Sequence, residues 1–180
     1  MRLITITGSS GAGKDTVARL LALMPDFEVI CSYTTRPMRE GEEEGREHHF
    51  VKSCKVSKQD MLAYTQYGGY EYWTEKSQLH DNAIYVIDEK GLVKLCENFP
   101  DIELINIYVA ASSSTLETRG ISKERQARDH DRYHLDINDY NFVIPNNGTM
   151  RDLQDFVSLV AVKLCKICGV PPFSNSFITY

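Results

Sequence analysis

Nothing in this sequence provides for a membrane span, a secretion route or a disulfide scaffold. No apolar run approaches the roughly 20 residues that a helix needs to cross a bilayer. The five cysteines (Cys31, Cys54, Cys96, Cys165 and Cys168) are odd in number and lack the spacing of a disulfide framework. Cys165 and Cys168 form a C-x-x-C, but no second Cys or His pair accompanies it and both sit inside an apolar helical pattern. They read as small buried side chains rather than a zinc or redox pair. Basic residues are also too few for a general nucleic-acid binder: 20 Lys and Arg stand against 25 Asp and Glu, a net charge of −5. There is no internal repeat and no linker. The opening Arg2-Leu3-Ile4-Thr5-Ile6 is too short and too β-branched for a signal peptide, so a cytoplasmic protein is expected.

What is present fits a single domain over residues 1–180 with enough chain to bury a core. Short β-branched runs at 3–7, 27–30, 84–87, 104–109 and 142–144 alternate with segments of helical period, which predicts an α/β fold with a parallel sheet covered by helices. Val17, Leu20, Leu21 and Met24 mark one apolar helix face. Thr149 followed by Asp152 reads as a capping box, and the helix after it would turn Leu153, Phe156, Val157, Val160, Leu164 and Ile167 inward. Two stretches break the rhythm. Residues 32–80 are rich in Tyr, Glu and Arg and read as an insertion with its own small sheet. Residues 119–134 are dense in Arg, Asp and His and read as a polar helix or flap.

The strongest chemical signal is Gly8-Ser9-Ser10-Gly11-Ala12-Gly13-Lys14, a G-x-x-x-x-G-K between a strand and an amphipathic helix. Its glycines let the backbone turn tightly and aim successive N–H groups at one anion. The helix N-terminus adds positive potential and Lys14 reaches the outer phosphates. This is the signature of a P-loop nucleotide site, so ATP is the expected donor. Position 15, where a hydroxyl usually serves Mg²⁺, is Asp15; Thr16 follows, turned about 100° away on a helix. Asp15 is therefore the candidate Mg²⁺ contact, direct or through water.

A second anion site is suggested by Ser32-Tyr33-Thr34-Thr35-Arg36-Pro37-Met38-Arg39-Glu40-Gly41-Glu42, followed by Gly45, His48 and Phe50. Two arginines three residues apart can converge on one phosphate. This S-x-T-T-R-x-x-R-x-G-E-x-x-G run resembles the acceptor-binding segment of the guanylate kinases. Further pieces follow in that family's order: Tyr67-Gly68-Gly69-Tyr70-Glu71-Tyr72, Ile87-Asp88-Glu89-Lys90-Gly91, Ile107-Tyr108-Val109 with Ser112 to Arg119, and Asp139 to Ile144 with Asn146. The likeness covers residues 3 to about 165.

The resemblance implies a P-loop core of five parallel strands with helices on both faces (1–31, 82–118 and 135–180), an inserted nucleoside monophosphate-binding subdomain (32–81) and a lid (119–134). It implies transfer of a phosphoryl group from Mg²⁺–ATP to a nucleoside monophosphate, GMP or dGMP. Gly8 to Thr16 and Asn146 would hold ATP. Ser32, Arg36, Arg39, Glu42, His48, Tyr72 and Asp88 would face the acceptor. Lys14, Arg119, Arg125 and Arg128 would act on the transferring group, with Arg132 on the same helix side. His130 and His134 read as exposed polar side chains rather than metal ligands.

Several positions depart from the family's pattern. His48 stands for a tyrosine, Trp73 for a glycine and Val86 for the first aspartate of a D-x-D strand end. Ala63 stands for the glutamate that reads the guanine edge, and an alanine accepts no hydrogen bond. Glu71 and Glu42 are the nearest replacement carboxylates. Another nucleotide or small molecule as acceptor therefore stays open. So does a binding module without catalysis, against which the retained Gly8, Gly13, Lys14, Arg36 and Arg39 argue.

Overall fold

The computed structural model describes residues 1–46, 48–130 and 133–171, with the backbone alone at Tyr67 and Arg128. In chain order the elements are β1 (Arg2–Thr7), α1 (Lys14–Leu21), β2 (Glu28–Val29), β3 (Ser32–Thr34), β4 (His48–Phe50), β5 (Met61–Tyr67) and β6 (Tyr70–Glu75). There follow β7 (Ala83–Val86), α2 (Glu89–Asn98), β8 (Glu103–Ala110), α3 (Ser113–Thr118), α4 (Lys123–His130), β9 (Phe142–Pro145) and α5 (Met150–Cys168). Among the described residues no helix is long and apolar enough to cross a membrane.

Five strands make one parallel sheet in the order β2-β7-β1-β8-β9. It is covered on both sides, as parallel sheets require. From β1, Ile4 and Ile6 turn into a cluster with Val17, Leu21, Leu153, Val157 and Leu164 from α1 and α5. Leu3 turns the other way, toward Leu92 and Leu95 of α2 and Leu62 of β5. Buried polar side chains on β1 are paired: the Thr5 hydroxyl donates to Asn106 Oδ1 at 2.7 Å and the Thr7 hydroxyl to the Tyr140 oxygen at 3.1 Å. All five expected strands are present, and the order reverses around β1. That switch point opens a crevice beyond the strand's C-terminal end, where the phosphate loop follows.

The capping box forms as expected: Asp152 N–H donates to Thr149 Oγ1 at 3.2 Å and Thr149 N–H to Asp152 Oδ2 at 2.7 Å. The inner face of α5 is narrower than its apolar residues suggest. Phe156 and Ile167 stay exposed, and Ala161 and Cys165 fill the core positions instead. A flat sheet contacts only one stripe of a helix, and those two side chains lie beyond its edge. Cys165 is buried and Cys168 partly buried, with both thiols free.

The second sheet has the order β4-β3-β6-β5 and mixes parallel and antiparallel pairs. Its strands are short and aromatic. Tyr33 stacks on Trp73 at 5.5 Å and meets His49 at 4.8 Å on one face. The alternate residues Ser32, Thr34, His48, Phe50 and Tyr72 occupy the other face. Thr74 ties the two sheets together by donating to the buried Tyr85 hydroxyl at 2.9 Å.

Candidate active site

The phosphate loop starts where β1 runs out. At Gly8 a Cβ would collide with the Val109 carbonyl of the neighbouring strand, so only glycine lets the chain turn there. Gly13 is the N-cap of α1 in left-handed conformation (φ 96°), and a Cβ would strike the Asn146 amide. Lys14 bends back over the loop, its Nζ donating to the carbonyls of Gly8 at 2.8 Å and Ser9 at 3.0 Å.

The loop is braced from the far side of the sheet. Asn146, almost fully buried, donates from Nδ2 to Ala12 O at 2.7 Å. Arg119 spans the gap, donating from Nη1 to Gly11 O at 3.1 Å and from Nη2 to Asn146 O at 2.9 Å and Oδ1 at 3.1 Å. Beside this brace lies a cleft of about 250 Å³ lined by residues that include Gly11, Thr16, Arg119, Asn146 and Thr149. Arg119 and Asn146 thus hold the loop and border the same cleft.

Asp15 is exposed in the first turn of α1, and Thr16 borders the cleft. Among the described residues no cluster of three or more His, Cys, Asp or Glu could hold a metal ion alone. One exposed carboxylate, Asp15, beside the loop does fit Mg²⁺, which takes few protein ligands and completes its octahedron with phosphate oxygens and water.

The arginines expected to form a second anion site follow β3 of the small sheet. Arg36 is 6% exposed, and its two terminal nitrogens donate to the Glu42 carboxylate at 2.9 and 2.8 Å. Glu42 Oε2 also accepts the Arg39 N–H at 2.8 Å. Burial alone would lower the Arg36 pKa, but its bond to Glu42 and the nearby Tyr72 hydroxyl hold it above the ordinary arginine value. The Arg36 bond likewise holds Glu42 below the usual carboxylate range. Arg36 also lies over the Phe50 ring at 5.4 Å. Arg39 is exposed.

The same sheet carries a polar pair. Ser32 Oγ and His48 Nδ1 are 2.7 Å apart, and His48 meets Tyr72 edge-on at 5.7 Å. Both replacement carboxylates expected from the sequence already carry hydrogen bonds, Glu42 through both oxygens and Glu71 through one. Glu42 is committed to Arg36, and Glu71 Oε1 accepts the Tyr64 hydroxyl at 2.9 Å. Ala63 is partly buried against an apolar cluster. Asp88 caps α2, accepting the Gly91 N–H at 2.8 Å.

Arg125 is partly buried on α4, while the Arg128 side chain and Arg132 lie outside the described residues. His134 contacts the His130 carbonyl at 3.1 Å, and both histidines are exposed. The sequence assigns no role to two buried carboxylates. Glu89 is 6% exposed in the first turn of α2. Asp129 reaches the loop from α4 and accepts the Ser10 N–H at 2.7 Å.

A phosphate loop at the switch point of a parallel sheet, with an arginine pair on an attached sheet, defines a P-loop nucleoside monophosphate kinase. The guanylate kinase family model matches residues 1–158, so the chain belongs to the guanylate kinase family. It is 27% identical to the guanylate kinase of Clostridium acetobutylicum, over 92% of this chain and 87% of that protein. It is 33% identical to that of Salinibacter ruber over 71% of this chain and 76% of that one. The crystal structure of guanylate kinase from Anaplasma phagocytophilum superposes with a TM-score of 0.63 at 21% identity, over 92% of this chain and 85% of that chain, which bears out the fold.

Proposed function

We propose that this protein transfers the terminal phosphoryl group of Mg²⁺–ATP to the phosphate of GMP or dGMP, giving ADP and the diphosphate. The observation that carries this reading is two anion stations on one chain, the loop with Lys14 and the group of Arg36, Arg39 and Tyr72. A simple nucleoside triphosphatase needs only the first. The acceptor follows the relatives, which are named guanylate kinases.

The attacking phosphate oxygen is already ionised at neutral pH, so no general base is required. Rate comes from alignment and from neutralising crowded negative charge. The loop N–H groups from Gly8 to Thr16, with Lys14, hold the donor phosphates, and Asn146 borders the adenine side. Asp15 would hold Mg²⁺, directly or through water, and the ion would neutralise phosphate charge. Arg36 and Arg39 grip the acceptor phosphate with Tyr72, while Glu42 fixes the fork of Arg36. Ser32 and His48 face the base, with Asp88 at the acceptor end of β7. Arg125 and Arg128 come to the transferring group as the lid, residues 119–134, closes on the core and on the acceptor arm, residues 32–81, while Arg119 stays on the loop that it braces.

A second acceptor nucleotide is favoured by one observation: Ala63 offers no carboxylate, Glu42 is held by Arg36 through both oxygens, and one oxygen of Glu71 takes the Tyr64 hydroxyl. The direct test is ADP formation from Mg²⁺–ATP with and without GMP. Turnover that needs GMP, and falls at least a hundredfold in both Lys14→Ala and Arg36→Ala (on the order of 3 kcal/mol each), supports transfer between two stations. GMP-independent ADP release would make the chain a triphosphatase.

A further inference from the structure

The phosphate loop already carries an anion of its own. The Ser10 N–H donates at 2.7 Å to Oδ2 of Asp129, a residue 119 positions away near the end of α4. Asp129 is 5% exposed, so this carboxylate is tucked into the site rather than lying across its surface. The neighbouring chain closes the same face of the loop. Ile121 packs where a side chain on Gly11 would stand, and Arg119 grips the carbonyls of Gly11 and Ala12. A turn of N–H groups suited to phosphate oxygens thus has one donor taken by a carboxylate oxygen. The segment that delivers it also carries Arg125.

We infer that Asp129 is an internal competitor of the donor nucleotide and sets its affinity. Its carboxylate holds the Ser10 N–H as a phosphate oxygen would, and ATP enters only as Asp129 leaves. Two anions cannot share one N–H, and a carboxylate left beside a triphosphate repels it. Nucleotide arrival is thereby coupled to movement of α4, the element that brings Arg125 to the site. Asp129 is a positioning residue in this scheme, acting through the loop and the lid. The inference rests on the loop being the ATP site.

The test is calorimetric titration of the whole chain with Mg²⁺–ATP and with inorganic tripolyphosphate, for wild type, Asp129→Asn and Asp129→Glu, each with a thermal melt. Asparagine keeps the shape and loses the charge, so it should bind both probes about tenfold more tightly, as removal of one charged hydrogen bond predicts. Glutamate keeps the charge and should stay within about threefold of wild type, less than half of that effect on a logarithmic scale. Equal or weaker binding by Asp129→Asn, with the wild type binding ATP, overturns the competitor while leaving the ATP site intact. So does a lowered melting temperature with no gain in affinity, which marks a structural clasp. If the wild type binds neither probe, the ATP site itself is wrong and the competitor falls with it.

Discussion

Glu42 holds Arg36 by both terminal nitrogens at 2.9 and 2.8 Å, in a pocket where Arg36 is almost wholly buried. Pairing is what makes a buried guanidinium tolerable, and the bidentate geometry fixes the plane of its fork. Residues six apart on an irregular loop are thereby locked into one arrangement before any acceptor arrives, which lowers the ordering cost of binding.

Glu42→Gln should therefore destabilise the chain by about 1.5–3 kcal/mol, the range for a hydrogen bond to a charged group. Urea unfolding of the two proteins measures it. Because the folded-state pKa of Glu42 is depressed, its contribution is complete above the unfolded value of about 4.3 and is lost as pH falls through the folded value. The stability gap should be constant near neutrality and close under acid. A gap independent of pH down to acid unfolding would show that the charge of Glu42 does not hold Arg36.

Gly13→Ala should fold but lose nucleotide affinity. The left-handed backbone costs an alanine about 1–2 kcal/mol, and the new methyl displaces the Asn146 amide from its bond to Ala12. ATP titration should show at least a tenfold weaker complex, about 1.4 kcal/mol. Wild-type affinity in this variant would mean that the Asn146 brace does not shape the loop.

Tyr85 and Tyr140 should titrate late. Burial pushes both hydroxyls up to about 12, against the opposing bonds from Thr74 and Thr7. With the folded pKa raised above the unfolded value of about 10, the stability tied to these phenols is intact below pH 10 and disappears as pH rises through about 12. Alkaline titration followed by phenolate absorbance should show Tyr85 and Tyr140 ionising well above the ordinary value of about 10. In Tyr85→Phe one of them should vanish.

The sequence makes the core legible where chemistry is local. Strands β1, β7 and β8 are β-branched runs with no competing helical period, and the capping box of Thr149 and Asp152 starts α5 in the register it announces. The glycine spacing of the phosphate loop carries its own geometry. What escapes is set by distance in three dimensions. Phe156 and Ile167 share the helical period of their buried neighbours, and only the edge of the sheet decides that they face outward. Asp129 and Ser10 are joined by packing of α4 that no motif encodes. Glu71 looks free in the sequence, yet strand pairing in β5 and β6 delivers the Tyr64 hydroxyl to it.

The central claim is that a guanine nucleotide is the acceptor although Ala63 offers no carboxylate to its edge. Steady-state ADP production from Mg²⁺–ATP with GMP, dGMP, AMP, CMP, UMP and dTMP in parallel tests it directly. The account predicts that GMP and dGMP have the highest kcat/KM, exceeding AMP by at least tenfold, about 1.4 kcal/mol of discrimination. A higher kcat/KM with any other acceptor in the panel would contradict it and give the site of Ser32, His48 and Tyr72 a different substrate.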